Sequence, residues 1–63
     1  MLYFFFSTVK ALYPYSKDRD DELQLLGNEI VSVVKENDDG WLDGMTEDGR
    51  RGLFPGNYVV RVD

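Results

Sequence analysis

Six carboxylates fall in two short stretches, Asp18, Asp20, Asp21 and Glu22 in one and Asp38 and Asp39 in the other. Acids so close together can act as an acid–base pair, ligate a metal, or receive a cation from a partner. Nucleophilic catalysis has no support. The chain contains no His, so Ser7, Ser16 and Ser32 lack a His to activate them, and a domain this small encloses no site. A calcium loop fails on detail. Asp18, Asp20, Glu22, Gln24 and Glu29 occupy positions 1, 3, 5, 7 and 12 of an EF-hand count, but Leu23 stands where the sharp turn needs Gly and no helices flank the loop. With neither Cys nor His, zinc sites and disulfides are also excluded. No cofactor and no metal are expected. Reception of a cation remains, against the usual fate of such runs as a solvated charged face.

Tyr13, Tyr15, Trp41 and Tyr58 form the second group. Taken singly, each reads as a core or half-buried sheet residue. Taken together with Pro55, they could form the flat, rigid walls that an extended proline-rich segment needs. Polyproline II has three residues per turn and no internal hydrogen bonds, so it docks at little entropic cost and leaves its carbonyls open to donors. A barrel that stacks single-stranded nucleic acid would use the same ring types but place basic residues among them. Here the neighbours of Tyr15 and Trp41 are acidic and the net charge is −5, which repels phosphate.

These residues must be positioned by 63 residues, of which 43% are apolar. That is one domain at most, with marginal stability. Five segments have strand character: residues 8–13, 29–35, 41–45, 50–54 and 58–62. Pro14 stops the first and Pro55 the fourth. Residues 16–22 read as a long polar loop, Gly27-Asn28 as a turn, and Asn37 to Gly40 as a second loop. Glu47-Asp48-Gly49 signals a hairpin, with Gly49 supplying a left-handed position. Leu23, Leu26, Ile30 and Val33 also fit a helix face, but Gly27-Asn28 would interrupt it and β-branched residues crowd its second half. Short strands with close turns favour a small barrel or sandwich. The expected core is Val9, Ala11, Leu23, Leu25, Ile30, Val33, Phe54 and Val59.

No apolar run approaches the ~18 residues of a membrane span. Residues 1–6 are apolar but lack the basic start and cleavage site of a signal peptide, and residues 1–7 read as a flanking segment, native or appended.

Three motifs in order carry a resemblance. Ala11-Leu12-Tyr13-Pro14-Tyr15 resembles the ALYDY opening of Src-homology-3 (SH3) domains. Asp21-Glu22-Leu23-Gln24-Leu25 followed by Gly27-Asn28-Glu29-Ile30-Val31 resembles their acidic loop, diverging turn and second strand. Gly52-Leu53-Phe54-Pro55-Gly56-Asn57-Tyr58-Val59 resembles their closing motif, with Trp41 and Gly44 between. The resemblance spans residues 9–62.

It implies an all-β fold: a small five-stranded barrel of two orthogonally packed antiparallel sheets, with a short 3-10 turn before the last strand, over residues 8–63. It also implies a non-catalytic, monomeric, cytoplasmic module within a larger adaptor, scaffold or signalling protein, one that binds proline-rich peptides flanked by Arg or Lys and neither binds nucleic acid nor inserts in membranes. By resemblance, Tyr13 and Tyr58 form one proline slot, and Tyr15, Trp41, Pro55 and Tyr58 a second, while Trp41, Asn57 and Tyr58 supply donors to peptide carbonyls. Glu22, Asp20, Asp21, Asp38, Asp39 and Leu53 surround a third pocket for the basic residue. Basic motifs without a proline core, or a folded partner such as ubiquitin, are the alternatives on the same surface. Four positions depart from the pattern. Leu42 follows Trp41 where a second aromatic is frequent, Gly40 displaces Asp39 from the place before Trp41, Leu53 replaces an aromatic found in some members, and Asn28 stands where the family has Gly, a left-handed position that Asn tolerates better than most residues.

Overall fold

The computed structural model describes residues 7–63, so the reading of residues 1–6 lies outside the described residues. Five strands form: β1 (Ser7–Ala11), β2 (Ile30–Glu36), β3 (Trp41–Thr46), β4 (Arg51–Pro55) and β5 (Val59–Arg61), with a one-turn 3-10 helix at Gly56–Tyr58. The strands pair antiparallel throughout, in the order β4-β3-β2-β1-β5. Flat, that order would hold β4 and β5 about 19 Å apart at ~4.8 Å per strand. Yet only the three residues Gly56–Tyr58 join them, rising roughly 2 Å each. The sheet must therefore roll up. The expected five-stranded barrel results, as one continuous hydrogen-bonded order bent round a common core.

Alternation along the strands selects that core. Val9 and Ala11 of β1, Val31 and Val33 of β2, Phe54 of β4, and Leu23 and Leu25 just after the long loop are buried in one cluster. The expected core differs at two places. Ile30 is only half-buried and Val31 takes its place, because Ile30 and Val33 are three residues apart and a period of two puts them on opposite faces. Val59 packs against the cluster without being fully enclosed.

Strand ends move by one or two residues, for local reasons. Ser7 already pairs with Val33, whereas Leu12 and Tyr13 leave the ladder ahead of Pro14. Pro55 stays in β4, opposite Trp41, since β4 is an edge strand where a missing N–H costs little. Tyr58 belongs to the 3-10 turn rather than to β5.

The turn before β2 is closed from both sides. Asn28 N–H donates to the Ala11 carbonyl at 2.8 Å and Ala11 N–H to that of Glu29 at 3.0 Å. The Glu29 carboxylate accepts from the N–H groups of Leu26 and Gly27. Burial pushes Glu29 up, but the N–H groups of Leu26, Glu29 and Gly27 outweigh it and hold the carboxyl below its usual range. Asn28 has φ 70°, the left-handed conformation expected there, and is the sole non-glycine with positive φ among the described residues.

Candidate functional site: an aromatic row ending in an acidic cleft

Tyr15 is fixed by a reciprocal backbone pair with Leu25, each N–H donating to the other's carbonyl at 2.9 Å. Leu25 is a buried core residue, so the ring of Tyr15 projects from an anchored position. Tyr58 arrives from the 3-10 turn, and its carbonyl accepts from Leu12 N–H at 2.8 Å, holding the start of β5 against the exit of β1. Trp41 opens β3 directly opposite Pro55.

These elements bring the rings into one row. Centroids are 5.8 Å apart for Tyr13–Tyr58, 5.4 Å for Tyr58–Tyr15 and 6.0 Å for Tyr15–Trp41, with interplanar angles of 78–89°. Edge-to-face packing at these distances is a favoured geometry for aromatic pairs and holds each ring against its neighbour. Tyr13 is exposed, while Tyr15, Trp41, Pro55 and Tyr58 are half-buried. Asn57 is exposed beside Tyr58.

Beyond Trp41 the row opens into a cleft of about 370 Å³ lined by Tyr15, Asp18, Arg19, Asp21, Glu22, Asn37, Asp39, Trp41 and Leu53. Its floor depends on a close backbone approach. Leu23 N–H donates to the Leu53 carbonyl at 2.7 Å and Leu53 N–H to that of Asp21 at 2.9 Å. Gly52 makes this possible, because a Cβ there would lie 2.8–2.9 Å from backbone atoms of residues 21–23.

Glu22 sits deepest, 8% exposed. Its Oε1 accepts from the Tyr15 hydroxyl at 2.7 Å and from Asp18 N–H at 2.8 Å. The Tyr15 bond and then the Asp18 N–H hold the Glu22 carboxyl below the usual range. The same bond, aided by burial, pushes the Tyr15 phenol from 10.0 up to about 12.

The other acids divide. Asp21 and Asp39 line the cleft, and Asp39 Oδ1 also accepts from Trp41 N–H at 3.1 Å, tying that loop to the ring it flanks. Asp20 and Asp38 are exposed outside the lining, and the Asp20 carbonyl accepts from Lys17 Nζ at 3.2 Å. Leu53 forms an apolar wall. The sequence reading did not select Asp18, Arg19 and Asn37 for the cleft. For Asn37 a signal existed, since a short loop before Trp41 pairs the two strand ends, and Asn37 N–H does donate to the Trp41 carbonyl at 2.9 Å. Among the described residues no cluster of three acids converges as a metal site.

Comparison with known proteins agrees with this architecture. The sequence profile of the SH3 domain family matches residues 10–56. This chain belongs to the SH3 family. Such domains are non-catalytic protein–protein interaction modules. The chain is 51% identical over 53 residues to the sorbin and SH3 domain-containing protein 1 homolog of Caenorhabditis elegans, covering 82% of this chain and 5% of that protein. It is 41% identical over 51 residues to ABI gene family member 3 of Mus musculus, covering 81% and 14%. Among solved structures, the C-terminal SH3 domain of myosin IB from Entamoeba histolytica, bound to a peptide, superposes with a TM-score of 0.80 at 38% identity, covering 90% of this chain and 93% of that one. The SH3 domain of yeast NBP2 gives 0.85 at 31% identity, covering 90% and 98%.

Proposed function

We propose that this SH3 domain binds proline-rich peptide segments in polyproline II conformation, flanked by an Arg or Lys. The observation that carries the reading is the continuity of the row Tyr13–Tyr58–Tyr15–Trp41 with a cleft bearing Asp18, Asp21, Glu22 and Asp39. Ring spacings of 5.4–6.0 Å are close to two residues of polyproline II at ~3.1 Å each. Prolines would lie in furrows between the rings, with the Trp41 indole N–H, the Tyr58 hydroxyl and the Asn57 amide donating to peptide carbonyls.

The basic residue would enter the cleft beyond Trp41. Glu22 is nearly buried and already accepts two bonds, so Asp18, Asp21 and Asp39 offer the reachable carboxylates and Glu22 adds its charge from below. A guanidinium there could also lie on the Trp41 face. The patch is small, so affinity is expected near micromolar, about −8 kcal/mol. The spans of 5% and 14% in curated relatives favour a larger parent, which the proposed function would make a cytoplasmic adaptor, scaffold or cytoskeletal protein carrying this domain as a monomer. No helix among the described residues is long and apolar enough to cross a membrane.

An NMR titration of the labelled domain with an Arg-flanked PxxP peptide tests the reading, with a proline-to-alanine peptide as control. Shifts are expected at the Trp41 indole, Tyr15, Tyr58 and Asp39, and absent with the control. Silence at millimolar peptide would reject it and turn attention to ubiquitin and basic motifs without prolines.

A further inference from the structure

Four arginines occur in the chain, and three are committed within the fold. Arg50 pairs with Asp48 at 3.0 Å, Arg51 with Asp43 at 3.2 Å and Arg61 with Asp63 at 2.8 Å. Arg19 alone has neither an ion pair nor a side-chain hydrogen bond among the described residues, although Asp18, Asp20 and Asp21 surround it in sequence, and its charge acts within the fold only as a minor contribution to holding the Glu22 carboxyl low. Its backbone is nevertheless fixed, because Glu22 N–H donates to the Arg19 carbonyl at 3.1 Å and closes the turn. This anchored residue lines the cleft together with Asp39 and Asn37. The cleft therefore offers both signs: carboxylates from Asp18, Asp21 and Asp39, and donors from Arg19 and Asn37.

A ligand that brings only cations into this cleft meets like charge at Arg19. One that brings an acid next to its basic residue satisfies both. Resting on the peptide-binding reading above, we propose that Arg19 is a specificity-determining residue that receives an Asp or Glu side chain of the bound peptide, placed one to three residues beyond its Arg or Lys. The guanidinium fork suits this role, since it can meet a carboxylate through two parallel hydrogen bonds. The preferred ligand then carries a basic–acidic couple beside its prolines, and runs of consecutive basic residues are disfavoured.

The test uses peptides sharing one proline core and one Arg, with Ala in the flank or with Glu one, two or three residues beyond the Arg. Each is titrated against the domain and against Arg19→Gln, which should fold normally because the side chain is exposed and unbonded. One Glu placement is expected to tighten binding to the domain roughly two- to fivefold, the range of an exposed ion pair. That gain should disappear in Arg19→Gln and become a loss in Arg19→Glu. A gain of equal size in Arg19→Gln, or no gain at any placement, overturns the proposal. So does an Arg19→Gln variant that merely binds every basic peptide more tightly, which would mark Arg19 as an internal counter-ion. The Ala-flanked peptide isolates the underlying reading: if it fails to bind at all, peptide recognition itself is wrong and the role of Arg19 falls with it.

Discussion

The Tyr15 hydroxyl donates to the Glu22 carboxylate across 2.7 Å, and this bond joins the aromatic row to the acidic cleft. Tyr15 belongs to the segment leaving β1, and Glu22 to the far end of the same loop, seven residues later. The loop is thus latched shut at its base, with Asp18 N–H on the same carboxylate oxygen. One residue serves as a ring of the proline surface and as the donor that orients the deepest acid.

The latch has a pH signature. Tyr15 is raised to about 12, so the stability it contributes is present below the ordinary phenol value near ~10 and lost as pH rises through about 12. Glu22 is lowered, so its contribution is present above the ordinary carboxyl value near ~4.3 and lost as pH falls through its lowered value. Glu22→Gln should therefore reduce acid sensitivity in thermal melts. It should also bring the Tyr15 phenol down toward ~10 in an NMR titration of the labelled ring carbon. An unmoved phenol in the variant would show that burial, and not the bond, sets its value.

Tyr15→Phe keeps the ring and deletes the donor. Peptides with an Arg flank should bind about three- to tenfold more weakly, the usual worth of one hydrogen bond, while a proline peptide without a basic residue changes little. Calorimetric titration of both peptides separates the two. Equal loss with both would mean that the hydroxyl supports the proline furrows instead.

Trp41→Ala and Pro55→Leu remove neighbouring walls of the row. Both residues are half-buried and outside the core cluster, so circular dichroism should still report a folded barrel. Peptide binding should fall by roughly thirtyfold or more, as for a central aromatic hot spot. Unfolding of Trp41→Ala would instead make that ring a structural support.

Phe54→Ala sharpens the contrast. Phe54, on β4, is fully buried in the core cluster, and such a truncation costs about 3–5 kcal/mol. A domain of this length holds only ~3–9 kcal/mol in total. The variant is expected to be largely unfolded or to melt tens of degrees lower. Near-native melting would place Phe54 outside the core.

Much of this was legible because the signals are local. Three short motifs carry the barrel, and Asn28 could be assigned its left-handed turn from residue type and position alone. Ile30 is less legible, because residue type favours it equally and only face parity with Val33 selects Val31 for the core. Arg19 and Asn37 were less visible because their places depend on the path of two loops, set by contacts such as Leu53 to Asp21 that join distant segments. The burial of Glu22 depends on the same contacts. Its position in the acidic run points to a ligand contact, yet its partner is the chain's own Tyr15.

Gly52→Ala tests how those distant contacts build the cleft. The added Cβ would meet Asp21 O at 2.9 Å, Glu22 C at 2.8 Å and Leu23 N at 2.9 Å, all backbone atoms with little freedom to yield. Overpacking of this kind costs typically 1–3 kcal/mol, and the displaced segment carries Glu22 and Asp21. Stability should drop by that amount in a urea melt, and Arg-flanked peptides should lose more affinity than proline peptides without a basic residue, because the Tyr13–Tyr58 ring pair lies at the other end of the row. A stable variant with unchanged selectivity would show that β4 can retreat without disturbing the acids, and the cleft geometry would then owe nothing to this glycine.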